Sequence, residues 1–95
     1  MFNLKNKKVI ITGATGGIGK SIIKSFVEQG AKVLATGTNE EKLKSLKNTY
    51  SDIITRKFDI SKHHDIEKFI EDTTNLLEGT PDILVNNAGI TRDNL

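Results

Sequence analysis

The chain contains no cysteine and no tryptophan, only one tyrosine and one proline, and its 14 basic and 12 acidic residues nearly cancel. Without cysteine there is no disulfide, no thiol nucleophile and no thiolate metal site, which suits a reducing, cytoplasmic setting. A net charge of +2 offers no broad cationic face, so nucleic acid is not an expected partner. No apolar run approaches the roughly 18 residues of a membrane span. The first seven residues, Met1-Phe2-Asn3-Leu4-Lys5-Asn6-Lys7, lack the apolar stretch of a signal peptide. With 95 residues the chain is one small domain at most, expected to bury somewhat over ~60% of its unfolded surface.

What the chain does have is glycine in one place. Thr12-Gly13-Ala14-Thr15-Gly16-Gly17-Ile18-Gly19 follows the apolar run Val9-Ile10-Ile11 and precedes a helical repeat. A strand turning through glycines into a helix suits a dinucleotide pyrophosphate: glycine tolerates positive φ and close backbone approach, and the free N–H groups of the helix start attract phosphate. A purely structural tight turn is the alternative. Strand, glycines, helix and unit length together match the dinucleotide pattern better.

The rest of the chain reads as alternating elements. Lys8 to Thr12 is an apolar, β-branched strand of the kind covered on both faces. Ile18, Ile22, Ile23, Phe26 and Val27 then recur at helical spacing, and Gly30 sits at a left-handed C-cap position. Lys32 to Gly37 is a second strand. Thr38 and Glu41 have the spacing of a capping box for a helix through about Asn48, with a thin apolar stripe of Leu43, Leu46 and Tyr50. Ile53 to Phe58 gives a third strand. Ser61 is the expected cap of a third helix, whose stripe is Ile66, Phe69, Ile70, Leu76 and Leu77 and which Gly79-Thr80-Pro81 ends. Asp82 to Ala88 is the fourth strand. The order implies a partial Rossmann fold of the α/β class, a parallel sheet of four strands in the order 3-2-1-4 with helices on both faces, forming 1-95 as the N-terminal part of one dinucleotide-binding domain. Strands one and four would then be neighbours. That brings the glycine loop and Asn86-Asn87-Ala88-Gly89 to the two sides of one crevice.

On these residues the chain resembles the short-chain dehydrogenase/reductase family. Its Thr-Gly-x-x-x-Gly-x-Gly signature is matched at Thr12, Gly13, Gly17 and Gly19, although Gly13, Gly16 and Gly19 also satisfy the Gly-x-x-Gly-x-x-Gly of the extended branch. Asn86-Asn87-Ala88-Gly89 favours the classical branch. The resemblance implies that the loop residues Gly13, Ala14, Thr15, Gly16, Gly17, Ile18 and Gly19 and the segment Asn86, Asn87, Ala88 and Gly89 bind the cofactor, and that Asp59, with Ile60, contacts the adenine. Loop capping is the plain alternative for Asp59. At the end of the second strand, Ala35-Thr36-Gly37-Thr38-Asn39 has no acid to pair with a ribose 2′-hydroxyl, which argues for NADP(H) over NAD(H). Gly16 stands where many such reductases carry an arginine, leaving Thr38, Asn39 and Lys42 as candidates for the 2′-phosphate.

The run Asn86-Asn87-Ala88-Gly89-Ile90-Thr91-Arg92-Asp93-Asn94-Leu95, with Asp82-Ile83-Leu84-Val85 before it, narrows the resemblance to the 3-oxoacyl-acyl-carrier-protein reductases of fatty acid synthesis. That implies an NADPH-dependent reduction of a 3-oxoacyl thioester on acyl carrier protein, by an enzyme that is a homotetramer at full length. An acetoacetyl-CoA reductase has a similar ending. Arg92 lies near the carrier by resemblance, or forms a loop salt bridge. The family's serine, tyrosine and lysine would fall after Leu95, since the sole tyrosine, Tyr50, is followed four residues later by Ile54. No catalytic residue is therefore expected in this chain, and a non-catalytic nucleotide-binding fragment or truncated product is the competing reading. His63 and His64 diverge on a helix and lack a third partner, so no metal site is expected. An unpaired fourth strand, Ile83-Leu84-Val85, would present an apolar edge and favour association.

Overall fold

The computed structural model describes residues 3–87. Ala88, Gly89 and the run through Leu95, Arg92 included, lie outside them. Four strands, β1 (Lys8–Thr12), β2 (Lys32–Gly37), β3 (Ile54–Lys57) and β4 (Ile83–Asn86), alternate with helices α1 (Gly17–Glu28), α2 (Glu40–Thr49) and α3 (Ile66–Leu77). The sheet is parallel throughout and ordered β3-β2-β1-β4, as the sequence pattern predicts. Central β1 pairs with β2 through Ile10 and Leu34 and with β4 through Ile10 and Leu84.

The period of two in β1 and β2 divides the core. Val9, Ile11, Val33 and Ala35 meet Ile23 of α1 and Leu43 and Leu46 of α2 on one face, with Tyr50 packed at the margin. Ile10 and Leu34 meet Phe69 and Leu77 of α3 on the other. Helices thus cover both faces. Phe58 stacks on Phe69 with ring centroids 4.1 Å apart, fixing the chain beyond β3 to α3. At the opposite end of the sheet, Asp82 Oδ2 accepts from Lys8 N and Asp82 N donates to Lys8 O, both at 2.8 Å, which sets the register of β4 on β1.

Several local expectations are corrected. Asn39, not Thr38, caps α2, its Oδ1 accepting from Lys42 N at 3.0 Å, because the helix begins one residue later than a Thr38–Glu41 box requires. Ser61 does not cap α3. A 3-10 turn over His63–Asp65 leads into that helix, and Ser61 turns back to Asp59. The buried face of α3 is Phe69, Thr73 and Leu77, an i, i+4 row, while Ile70 and Leu76 are exposed. Thr73 fits there because its hydroxyl donates to Ile70 O at 2.9 Å. The helix ends at Glu78, in the left-handed conformation, one residue before Gly79. β3 is shorter than Ile53 to Phe58, and β4 stops at Asn86. Leu84 of β4 is 59% exposed. His63 and His64 are exposed, and His64 Nε2 lies 3.6 Å from Asp65 Oδ1. Among the described residues no helix is long and apolar enough to cross a membrane.

Candidate functional site: a glycine-lined cleft at the carboxyl ends of the strands

β1 ends at Thr12 and the chain reverses through Gly13, whose φ of +61° is a conformation that side chains with a Cβ rarely adopt. Ala14 N then donates to Thr36 O at 3.0 Å, tying the loop to β2. Helix α1 starts at Gly17 with Gly16 as its N-cap. Glycine has no side chain to occupy the first-turn N–H groups, and the first turn has no acidic residue. Those donors are left for an anion. The contrast with α2 is direct: Asn39 caps that helix and Glu40 and Glu41 stand in its first turn.

Gly19 explains how loop and helix come so close. A Cβ there would lie 2.5 Å from Gly13 O and 2.7 Å from Ala14 Cα, so the helix rests against the loop backbone. Gly16 and Gly17 instead face open space, with nothing within 4 Å of an added Cβ. One glycine serves packing and two keep room for a ligand.

The cleft so formed has a volume of about 520 Å³, within the range of small-molecule and cofactor sites. Gly13, Thr15, Gly16, Gly17 and Ile18 line it on the β1 side, Thr36, Gly37 and Thr38 on the β2 side, Phe58, Asp59, Ile60 and Ser61 beyond β3, and Asn87 beyond β4. Most of the sequence-predicted positions therefore converge. Ala14 and Gly19 are buried beneath the loop and do not line the cleft. Asn86 does not line it; its Oδ1 accepts at 3.2 Å from Oγ1 of Thr12, which does. Asn87 Nδ2 donates to Gly13 O at 2.9 Å, so the segment after β4 braces the glycine turn. Ile18, expected in the buried stripe of α1, is instead 65% exposed and lines the cleft. Of the three 2′-phosphate candidates only Thr38 lines the cleft, and the Asn39 carboxamide is engaged as the α2 cap. Tyr50 packs against the margin of the core and does not line the cleft.

Sequence reasoning missed Thr36, Gly37, Phe58 and Ser61 as lining residues. The parity of β2 and the position of its last residues carried the signal for the first two. For Phe58 and Ser61 the signal was proximity to Asp59.

Asp59 Oδ1 accepts from Ser61 Oγ at 2.7 Å and from Ser61 N at 3.0 Å, an Asx turn that fixes the far rim. These two bonds, the hydroxyl bond first, hold its carboxyl below the usual carboxylate range. A lowered folded-state pKa means that this turn contributes stability above the unfolded-state pKa and loses it as pH falls through the lowered value. The difference in thermal midpoint between the wild type and Asp59→Ala is therefore expected to be constant from pH 8 to 6 and to shrink below about pH 4. A difference independent of pH across that window would show that the charge does not hold the turn.

A parallel sheet with a glycine turn, an uncapped helix start and an asparagine brace at its carboxyl end defines a nucleotide-binding protein of the Rossmann type. The short-chain dehydrogenase family model matches residues 7–95, and the chain belongs to that family. It is 43% identical to the 3-oxoacyl-[acyl-carrier-protein] reductase FabG of Rickettsia prowazekii, over 100% of this chain and 38% of that protein. It is 41% identical to 3beta-hydroxysteroid dehydrogenase 2 of Eggerthella lenta, over 97% of this chain and 36% of that protein. Among solved structures, a short-chain dehydrogenase/reductase from Brucella melitensis superposes with a TM-score of 0.84 at 33% identity, covering 96% of this chain and 39% of that one. The chain thus spans less than two fifths of the length of these curated relatives.

Proposed function

We propose that the chain is the N-terminal, cofactor-binding part of a single Rossmann domain in a cytoplasmic, NADPH-dependent reductase of 3-oxoacyl thioesters carried on acyl carrier protein. The observation that carries the cofactor half of this reading is the uncapped, acid-free start of α1 beside a cleft of about 520 Å³ at the carboxyl ends of the strands. The residues present fit a dinucleotide. Gly16 and Gly17 leave open space where phosphates approach, and Gly19 lets the helix start sit close against Gly13 and Ala14. Thr15 offers a hydroxyl beside them.

NADPH, when bound, supplies a hydride to the substrate carbonyl. This chain's residues bind and orient it: the α1 start at the pyrophosphate, Asp59 and Ile60 at the adenine, Thr38 at the 2′-phosphate, and Asn87 on the nicotinamide side of β1. Absence of an acid at the end of β2 favours the phosphorylated cofactor, because a carboxylate there would repel the 2′-phosphate. The acyl-carrier substrate and a homotetrameric assembly rest on the similarity to reductases of that kind. Similarity to a hydroxysteroid dehydrogenase at nearly the same identity supports a second reading, a reductase of another carbonyl substrate with the same cofactor.

Titration of the purified protein with NADPH and NADH, followed by cofactor fluorescence, tests the reading. Saturable NADPH binding at least about 10-fold tighter than NADH is expected. Equal affinity would remove the NADP preference, and no binding of either would remove the dinucleotide site.

A further inference from the structure

Thr36 has a buried hydroxyl with nothing to bond. Along β2, Val33 and Ala35 face α1 and α2 while Leu34 faces α3, and the period of two puts Thr36 on the α3 side. It is 2% exposed, and its Oγ1 is the one buried side-chain polar atom among the described residues that lacks a hydrogen-bond partner. Other buried threonines are satisfied: Thr73 donates to Ile70 O at 2.9 Å, and Thr12 donates to Val85 O at 3.3 Å. A valine would fill the same space and suit a strand equally well, without the cost of an unpaired hydroxyl. Thr36 nevertheless lines the cleft, directly before Gly37 and Thr38, together with Phe58 and Ile60.

The geometry points to Thr36 as a polar contact for the adenosine half of a bound dinucleotide. This rests on the reading of the cleft as a cofactor site. A threonine side chain exchanges Oγ1 and Cγ2 between staggered positions by rotation about one bond, so the hydroxyl reaches the cleft without backbone movement. There it hydrogen-bonds a polar atom of the adenosine, as donor or acceptor. The position favours that half of the ligand because β2 lies on the β3 side of β1, whereas Asn87 follows β4 on the other side.

Thr36→Val and Thr36→Ser separate this role from a structural one. Binding of NADPH and of adenosine 2′,5′-bisphosphate is measured alongside the thermal midpoint of the ligand-free protein. Thr36→Val is expected to raise the ligand-free midpoint by about 2–4 °C, since an unpaired hydroxyl is removed. The same variant weakens both ligands by about 3- to 10-fold. Thr36→Ser keeps both affinities within about twofold while melting lower, because a buried methyl is lost. Unchanged affinities in Thr36→Val, or loss confined to NADPH, would overturn the assignment, as would a midpoint and affinity that fall together. If the wild type binds neither ligand, the dinucleotide reading of the cleft falls with it. If the wild type binds and the valine variant is indifferent, only the role of Thr36 is lost.

Discussion

Gly19→Ala is expected to destabilise the protein by about 3 kcal/mol, lowering the thermal midpoint by more than about 10 °C, and to abolish dinucleotide binding. The added methyl would stand 2.5 Å from Gly13 O, 2.7 Å from Ala14 Cα and 2.8 Å from Ala14 C. All three are backbone atoms, so no side chain can swing aside. Either α1 lifts from the loop or the loop gives up its bond from Ala14 N to Thr36 O. Both responses move the helix start away from the cleft. Gly17→Ala is the internal control, since nothing lies within 4 Å of its added Cβ and alanine is the better helix former. It should melt at or slightly above the wild-type midpoint and still bind NADPH at least about 10-fold more weakly, because the methyl enters space reserved for phosphate. Melting curves paired with cofactor titrations distinguish the two variants. Wild-type stability in Gly19→Ala would contradict the close seating of the helix on the loop, and wild-type affinity in Gly17→Ala would remove the phosphate site from this face.

Gly37→Asp is expected to reverse cofactor preference, moving the NADPH to NADH affinity ratio by about 100-fold or more. Gly37 is the last residue of β2 and lines the cleft between Thr36 and Thr38. A carboxylate there can accept from both ribose hydroxyls of NAD(H) and repels a 2′-phosphate, a like-charge contact that costs several kcal/mol. Space is tight, because an added Cβ would lie 3.3 Å from Thr15 Cγ2. Thr15 must yield by a few tenths of an ångström, so a modest loss of stability accompanies the switch. Pairing the substitution with Thr15→Ser removes that methyl and should recover the stability. If Gly37→Asp weakens both cofactors equally, the 2′-position is recognised elsewhere and Thr38 has no part in the preference.

The sequence pattern disclosed what depends on periodicity and on glycine. Strand order, the two-faced core and the convergence of the glycine turn with Asn87 follow from alternation in β1 and β2 and from the right-handedness of parallel crossovers. Competing local hydrogen bonds were not legible. Asn39 and Thr38 are both good caps, and only the start of α2 at Glu40 decides between them. Ser61 could cap a helix or pair with Asp59, and the intervening 3-10 turn selects the second. In α3 the apolar residues outnumber those that meet the sheet: Phe69, Thr73 and Leu77 are buried while Ile70 and Leu76 stay exposed. Within the cleft, the residues absent from the sequence reading are those with unremarkable types. A threonine in a strand signals nothing until its hydroxyl is found buried without a partner, and Gly37 matters for what it leaves out.

The bracing of Gly13 by Asn87 spans 74 positions of the chain. Synthesis runs from the amino end, so the glycine turn emerges early and waits for its brace until β4 has been made and has paired with β1. Until then neither the Asn87 amide nor the bonds from Thr12 to Val85 O and Asn86 Oδ1 can form. A nascent chain halted before Ile83 carries every glycine of the turn and still has no finished cradle. Ligand capture is thereby timed to the arrival of the fourth strand, and a dinucleotide present during translation would report, by when it first protects the loop from protease, the moment at which the sheet closes.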